Sequence, residues 1–105
     1  MIRYYLRYLP SSHDNIFKPL DMIKGNININ DYVPVYQGEI DASKSLEETN
    51  EILFTKFNID HPEGFAAHSL SVGDIIEYRD FDKKTSTYYF CDSIGFQNID
   101  DKIVK

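Results

Sequence analysis

A single helix signal, between Ser45 and Pro62, divides a chain that otherwise reads as strand and turn, and it limits the available folds more than any other feature. Ser45 stands three residues before Glu48, the spacing of a capping box, and Glu47 and Glu48 fall in the first turn, where the helix dipole favours negative charge. Leu46, Leu53, Phe54 and Phe57, with Ile52 beside them, recur near the 3.6-residue period and predict one apolar face over 46–57. Asn58 and Pro62 close the segment. A lone helix can bury its stripe only against a sheet, so the flanking strands must supply the other layer.

Those strands carry period-two signals. Ile2, Tyr4, Leu6 and Tyr8 alternate with Arg3, Tyr5, Arg7 and Leu9, and Pro10 stops the run. Ser11 to Asp14 forms a turn, and Ile16, Phe17, Leu20, Met22 and Ile23 predict a short irregular helix interrupted by Pro19. Gly25 to Asp31, with three Asn residues, reads as a loop or a hairpin end. From Tyr32 to Ile40 a strand places Tyr32, Pro34, Tyr36, Gly38 and Ile40 on one face and Val33 and Val35 on the other, with a free edge at Pro34, which lacks a ladder donor. Ile75 to Arg79 and Ser86 to Asp92 predict a hairpin across the polar turn Asp80 to Lys84. Gly95 permits a bend, and Ile99 or Ile103 adds a short strand or helical turn. The expected fold is α+β: a small twisted, mainly antiparallel sheet of about four strands with the 46–57 helix on one face, the alternative being a partly closed small β-barrel.

At 105 residues this amounts to a single domain, 1–105, with one modest core to which eight Tyr and seven Phe contribute bulk. One cysteine, Cys91, excludes an internal disulfide framework; Arg3 and Arg7 interrupt any leader-like apolar run, and no stretch reaches the length of a membrane span. A cytoplasmic protein with no membrane association is the expectation. The net charge of −6 is concentrated in residues 39–63, where seven acidic side chains face Lys44 and Lys56. Phosphate neutralisation needs Lys and Arg, so direct nucleic-acid binding by that surface is disfavoured, and the run reads as a solvated helix face or as an acidic surface for a basic partner. Arg3, Tyr5 and Arg7 form a basic and aromatic face similar in kind to single-strand platforms, but two arginines are a small footprint and a charged surface strand accounts for them.

Candidate chemistry centres on His68, which lies between Ala67 and Ser69, close to Ser71 and six residues before Asp74. No Gly-x-Ser-x-Gly elbow accompanies it, so a ring that hydrogen-bonds backbone groups and fixes the loop is favoured over a catalytic base. His61, His68, Cys91 and Asp92 lack the close pairs of zinc sites, and no Walker or dinucleotide glycine pattern is present, so neither a metal nor a cofactor is assigned. Cys91 sits in an apolar strand and reads as a packing residue. In Val72-Gly73-Asp74-Ile75, Gly73 allows a tight turn and Asp74 can bond nearby amides before the strand begins.

Taken together, Phe57-Asn58-Ile59-Asp60-His61-Pro62-Glu63-Gly64-Phe65, His68-Ser69-Leu70-Ser71-Val72-Gly73-Asp74-Ile75-Ile76 and Tyr88-Tyr89-Phe90-Cys91-Asp92-Ser93-Ile94-Gly95-Phe96 resemble the YodL-like domain family. The first strand, Tyr32 to Gly38 and the helix from Leu46 fit the same layout, so the resemblance spans nearly the whole chain. It implies a small domain of low-GC Gram-positive bacteria that accompanies mobile genetic elements, and it implies no particular reaction. It also draws attention to a loop where packing makes few demands. The resulting expectation is a noncatalytic interaction module that binds an unidentified protein partner through the 65–74 loop and adjoining hairpin, with Phe65, His68, Ser69, Ser71, Asp74, Asp92 and Phe96 as contact residues. The alternatives are an acidic nucleic-acid mimic that inhibits a host enzyme and a small hydrolase or nuclease using His68. Pairing at the Pro34 edge leaves the oligomeric state open.

Overall fold

The computed structural model describes residues 1–41, 43–59, 62, 65 and 67–104. Strand β1 (Ile2–Tyr8) lies inside an antiparallel five-stranded sheet of order β3-β1-β4-β5-β6, formed with β3 (Val33–Glu39), β4 (Ile75–Asp80), β5 (Thr85–Cys91) and β6 (Phe96–Asn98). The sheet stays open, with β3 and β6 at its edges, and it has one strand more than the four expected because Gly95, at a φ of 68°, turns the chain back to pair Phe96 with Cys91. The predicted hairpin is β4–β5.

Alternation along the central strands divides the interior in two. Tyr4, Leu6 and Tyr8 of β1 and Ile76 and Tyr78 of β4 face helix α1 (Leu46–Ile59) and pack with its Leu53 and Phe57. Ile75, Tyr88 and Phe90 point the other way and meet Leu9, Ile27, Ile29, Tyr32 and Ile99. This second layer rests on β2 (Ile27–Asn28), paired in parallel with β7 (Ile103–Val104). The 25–31 segment, expected to be a loop, therefore holds a short strand followed by a 3-10 turn at Ile29–Asp31, which the Asn28 side chain caps by accepting the Asn30 N–H. Its partner lies 76 residues away, beyond the reach of any local pattern. The irregular helix expected around Pro19 is a single 3-10 turn, Leu20–Met22, that starts after the proline.

In α1 the Glu48 N–H donates to Ser45 Oγ at 3.1 Å, the first bond of the capping pattern, while the Glu48 carboxylate accepts the Ser45 hydroxyl at 3.3 Å in place of the Ser45 backbone N–H. The helix runs two residues beyond the expected end, and its inward stripe is rotated. Thr49 and Asn50 are buried with Leu53 and Phe57, whereas Ile52 and Phe54 are exposed. The polar pair is tolerated because both side chains are satisfied: Thr49 Oγ1 donates to the Ser45 carbonyl at 2.8 Å, and Asn50 Oδ1 accepts the Tyr78 hydroxyl at 2.7 Å. Strand β3 also departs from simple alternation. Leu6 pairs with Tyr36 but Arg7 pairs with Pro34, so the skipped Val35 forms a bulge and packs with Tyr36 against the α1 layer, while Tyr32 joins the second core. No described helix is long and apolar enough to cross a membrane.

Candidate functional site

Ser71 and Asp74 form a reciprocal turn that carries the chain into β4. The Ser71 N–H donates to Asp74 Oδ2 at 2.7 Å, and the Asp74 N–H returns to the Ser71 carbonyl at 3.0 Å. The turn is tied to the end of β5, where the Gly73 N–H donates to the Cys91 carbonyl and the Cys91 N–H to the Asp74 carbonyl. Gly73 has a φ of 98°, and a Cβ placed on it would lie 3.1 Å from the Phe17 backbone nitrogen. Substituting Ala there combines a left-handed backbone with a contact that only main-chain movement relieves. Gly73→Ala is expected to lower stability by roughly 2 kcal/mol and to speed hydrogen exchange at Ser71, both measurable by denaturation and NMR.

His68 lies against the side of this turn. Its Nδ1 is 2.7 Å from the Ser69 carbonyl, so it must carry the proton and donate it, and its ring stacks on Tyr8 at 4.2 Å with Phe17 edge-on at 5.2 Å. The Ser71 hydroxyl donates to the same carbonyl at 2.8 Å. At 3.8 Å the Asp74 carboxylate is beyond hydrogen-bond range of Nδ1. This is the arrangement of a ring that fixes a loop, with Nδ1 occupied as a donor. Asp74 itself is buried, and that burial pushes its carboxyl up to about 8 against the weaker lowering effect of the Ser71 amide. Burial first, then nearby Asp74, Asp92 and Glu51, push the Cys91 thiol up to about 12, so it is a neutral packing group rather than a nucleophile.

The seven expected contact residues do not form one site. Phe65 packs into the main core against Phe57 at 4.9 Å and Tyr36 at 5.8 Å. His68 and Ser69 lie on the Tyr8 and Phe17 side, and Asp74 is interior. Ser71, Asp92 and Phe96 do come together, in a groove of about 500 Å³ between α1 and the β5–β6 turn. Three residues of α1 complete it and were missed in the sequence: Glu51, Phe54 and Asn58. Phe54 meets Phe96 edge to face at 6.2 Å across the groove, and Leu70 and Cys91 also line it. The outward stripe of α1, with Phe54 exposed four residues before Asn58, was the available signal, but the helix phase inferred from the sequence had turned Phe54 inward.

Two polar features mark the groove. Asp92 Oδ1 accepts the backbone N–H groups of Leu20 and Ser93, which fixes the carboxylate at the rim. Asn58 is a wall residue whose Oδ1 is buried and has no hydrogen-bond partner among the described residues. Beside the groove, β6 is a free edge. The Ile99 N–H bonds the Tyr88 carbonyl and the Asp92 N–H bonds the Gly95 carbonyl, so antiparallel alternation turns the backbone groups of Phe96 and Asn98 away from β5. Ile94, 87% exposed, sits at the tip of the turn.

His61 lies outside the described residues, and among the described residues no three His, Cys, Asp or Glu side chains gather as a metal site would need. A family model described as the YodL-like domain matches residues 6–101. No curated protein and no solved structure matches the chain.

Proposed function

Because the chain belongs to the YodL-like domain family, we propose that it is a noncatalytic interaction module that receives an extended segment of a protein partner in the groove between α1 and β6. The observation that carries this reading is an apolar groove lying directly beside a free strand edge. A segment added along β6 would bond the outward backbone groups of Phe96 and Asn98 while setting an apolar side chain between Phe54, Phe96 and Leu70. Glu51 and Asp92 at the rim favour Lys or Arg flanking that anchor. The partner belongs to the cytoplasm of a host that carries a mobile genetic element, whose accessory protein this would be.

The acidic-mimic reading has less support, because the Glu47 carboxylate accepts the Tyr89 hydroxyl at 2.8 Å and that of Glu48 the Ser45 hydroxyl, which leaves few carboxylates in a free row among the described residues. The hydrolase reading has less still, since the Ser71 hydroxyl donates to the Ser69 carbonyl at 2.8 Å rather than to the His68 ring.

Selection from a random peptide display library tests the groove. Peptides with one large apolar residue flanked by Lys or Arg are expected, bound at least tenfold more weakly by Phe96→Ala and more weakly again as salt rises. Enriched peptides that bind Phe96→Ala and Glu51→Lys as well as the parent, both variants being folded by circular dichroism, would overturn the assignment.

A further inference from the structure

The face of the sheet turned away from α1 holds a second cavity, of about 420 Å³, bounded by Tyr5, Arg7, Arg79, Pro34 and Gln37. Arg7 and Arg79 are joined through Glu77, 2% exposed, both of whose oxygens are engaged: Oε1 accepts Arg7 Nε at 2.7 Å, while Oε2 accepts Arg79 Nε and Nη2 at 3.2 and 3.1 Å and the Ser86 hydroxyl at 3.1 Å. Arg7 Nη1 is fixed by the Tyr32 carbonyl at 2.9 Å, and the Arg79 guanidinium lies 4.4 Å over the Tyr5 ring. Two guanidiniums therefore share one carboxylate, which leaves a local positive charge in a chain of net charge −6.

Both side chains are oriented before any ligand arrives, and each keeps an unused nitrogen: Arg7 Nη2 and Arg79 Nη1 have no partner among the described residues. The bulge at Val35 lies where β3 passes Arg7, and the exposed Gln37 adds an amide on the cavity's edge. The geometry points to an oxyanion site: the cavity takes the carboxylate or phosphate group of a small molecule, held by Arg7 and Arg79 with Glu77 as the positioning residue. Fixed planar guanidiniums suit such a group because little side-chain entropy remains to be lost and the bonds are charge-assisted. A nucleic-acid strand fits the surface less well, since Arg3, the next cation along β1, is paired with Glu39 at 3.3 Å. The site lies on the opposite face of the sheet from the α1 groove and stands independently of it.

NMR titration of the full chain at low ionic strength and pH 7, once with inorganic phosphate and once with acetate, reads the Nε–H signals of the arginines directly. Saturable shifts at Arg7 and Arg79 with at least one anion are expected, and the anion that saturates at lower concentration identifies the group. Arg79→Gln should weaken that binding about tenfold, and Gln37→Glu, which adds a like charge on an exposed edge strand without touching the core, should weaken it at least as much. Shifts that are absent or linear for both anions, or unchanged in either folded variant, would overturn the site. An oligothymidylate bound far more tightly than either anion, through the same arginines, would overturn the small-molecule assignment.

Discussion

Replacing Asp74 with Asn is expected to raise stability near pH 8 by on the order of 4 kcal/mol and to remove most of the decline expected of the parent between about pH 4 and pH 8. Burial pushes the Asp74 carboxyl up to about 8 from an ordinary value of 3.8, with the Ser71 amide opposing weakly. Between those values the folded chain keeps the proton and the unfolded chain has released it, so unfolding becomes easier as pH rises. The contribution is complete below the unfolded value, fades through the window and is level above the folded one. The titratable groups near Asp74 include His68, Tyr8, Tyr32 and Cys91, and none of these supplies a fixed positive charge to restore the carboxylate. Asn keeps an acceptor for the Ser71 N–H and stays neutral throughout. Glu77 acts in the opposite sense: burial raises its pKa, but the hydrogen bonds and charges of Arg7 and Arg79 outweigh that and hold it below the usual range, so its stabilisation is present above the unfolded value and lost on acidification. Urea denaturation of parent and Asp74→Asn at several pH values separates the two effects. Parallel curves from pH 5 to 8 would refute the Asp74 account.

Phe57→Ala is expected to cost about 3–5 kcal/mol, a large share of the total stability of a domain this size. The Phe57 ring is fully buried and meets Tyr4, Tyr36 and Phe65 with centroids 6.2, 5.2 and 4.9 Å away, so truncation leaves a cavity bounded by three other aromatics. Phe54→Ala, on the exposed stripe of the same helix, is expected to change stability by less than about 1 kcal/mol. Thermal unfolding followed by circular dichroism ranks them, and equal losses would mean that the helix is rotated from the orientation described.

The contrast between these two phenylalanines shows which information was local. Ser45 and Glu48 are three residues apart and the Ser45 hydroxyl caps the Glu48 N–H, so the start of α1 was legible. Its phase was not, because Thr49 and Asn50 are buried only by virtue of the Ser45 carbonyl and the Tyr78 hydroxyl, the latter 28 residues away. The alternation of β1 was legible for the same local reason, whereas the bulge at Val35 exists only in relation to Leu6 and Arg7. Of the expected contact residues, the structure gathers Ser71, Asp92 and Phe96 at the groove. Phe65, His68 and Asp74 had drawn attention as neighbours in a loop, but a loop that wraps around a corner of the fold sends adjacent side chains to different surroundings.

The parallel pair of Ile27 with Ile103 also bears on how the chain is made. A ribosome delivers Ile27, Ile29 and Tyr32 long before Ile99 and Ile103, so the second apolar layer stays uncovered through most of synthesis. The α1 layer can close earlier, once β4 has emerged to pair with β1. During that interval the nascent domain presents sticky surface on one side only, and slowing translation near residue 100 would lengthen its exposure to chaperones and to aggregation.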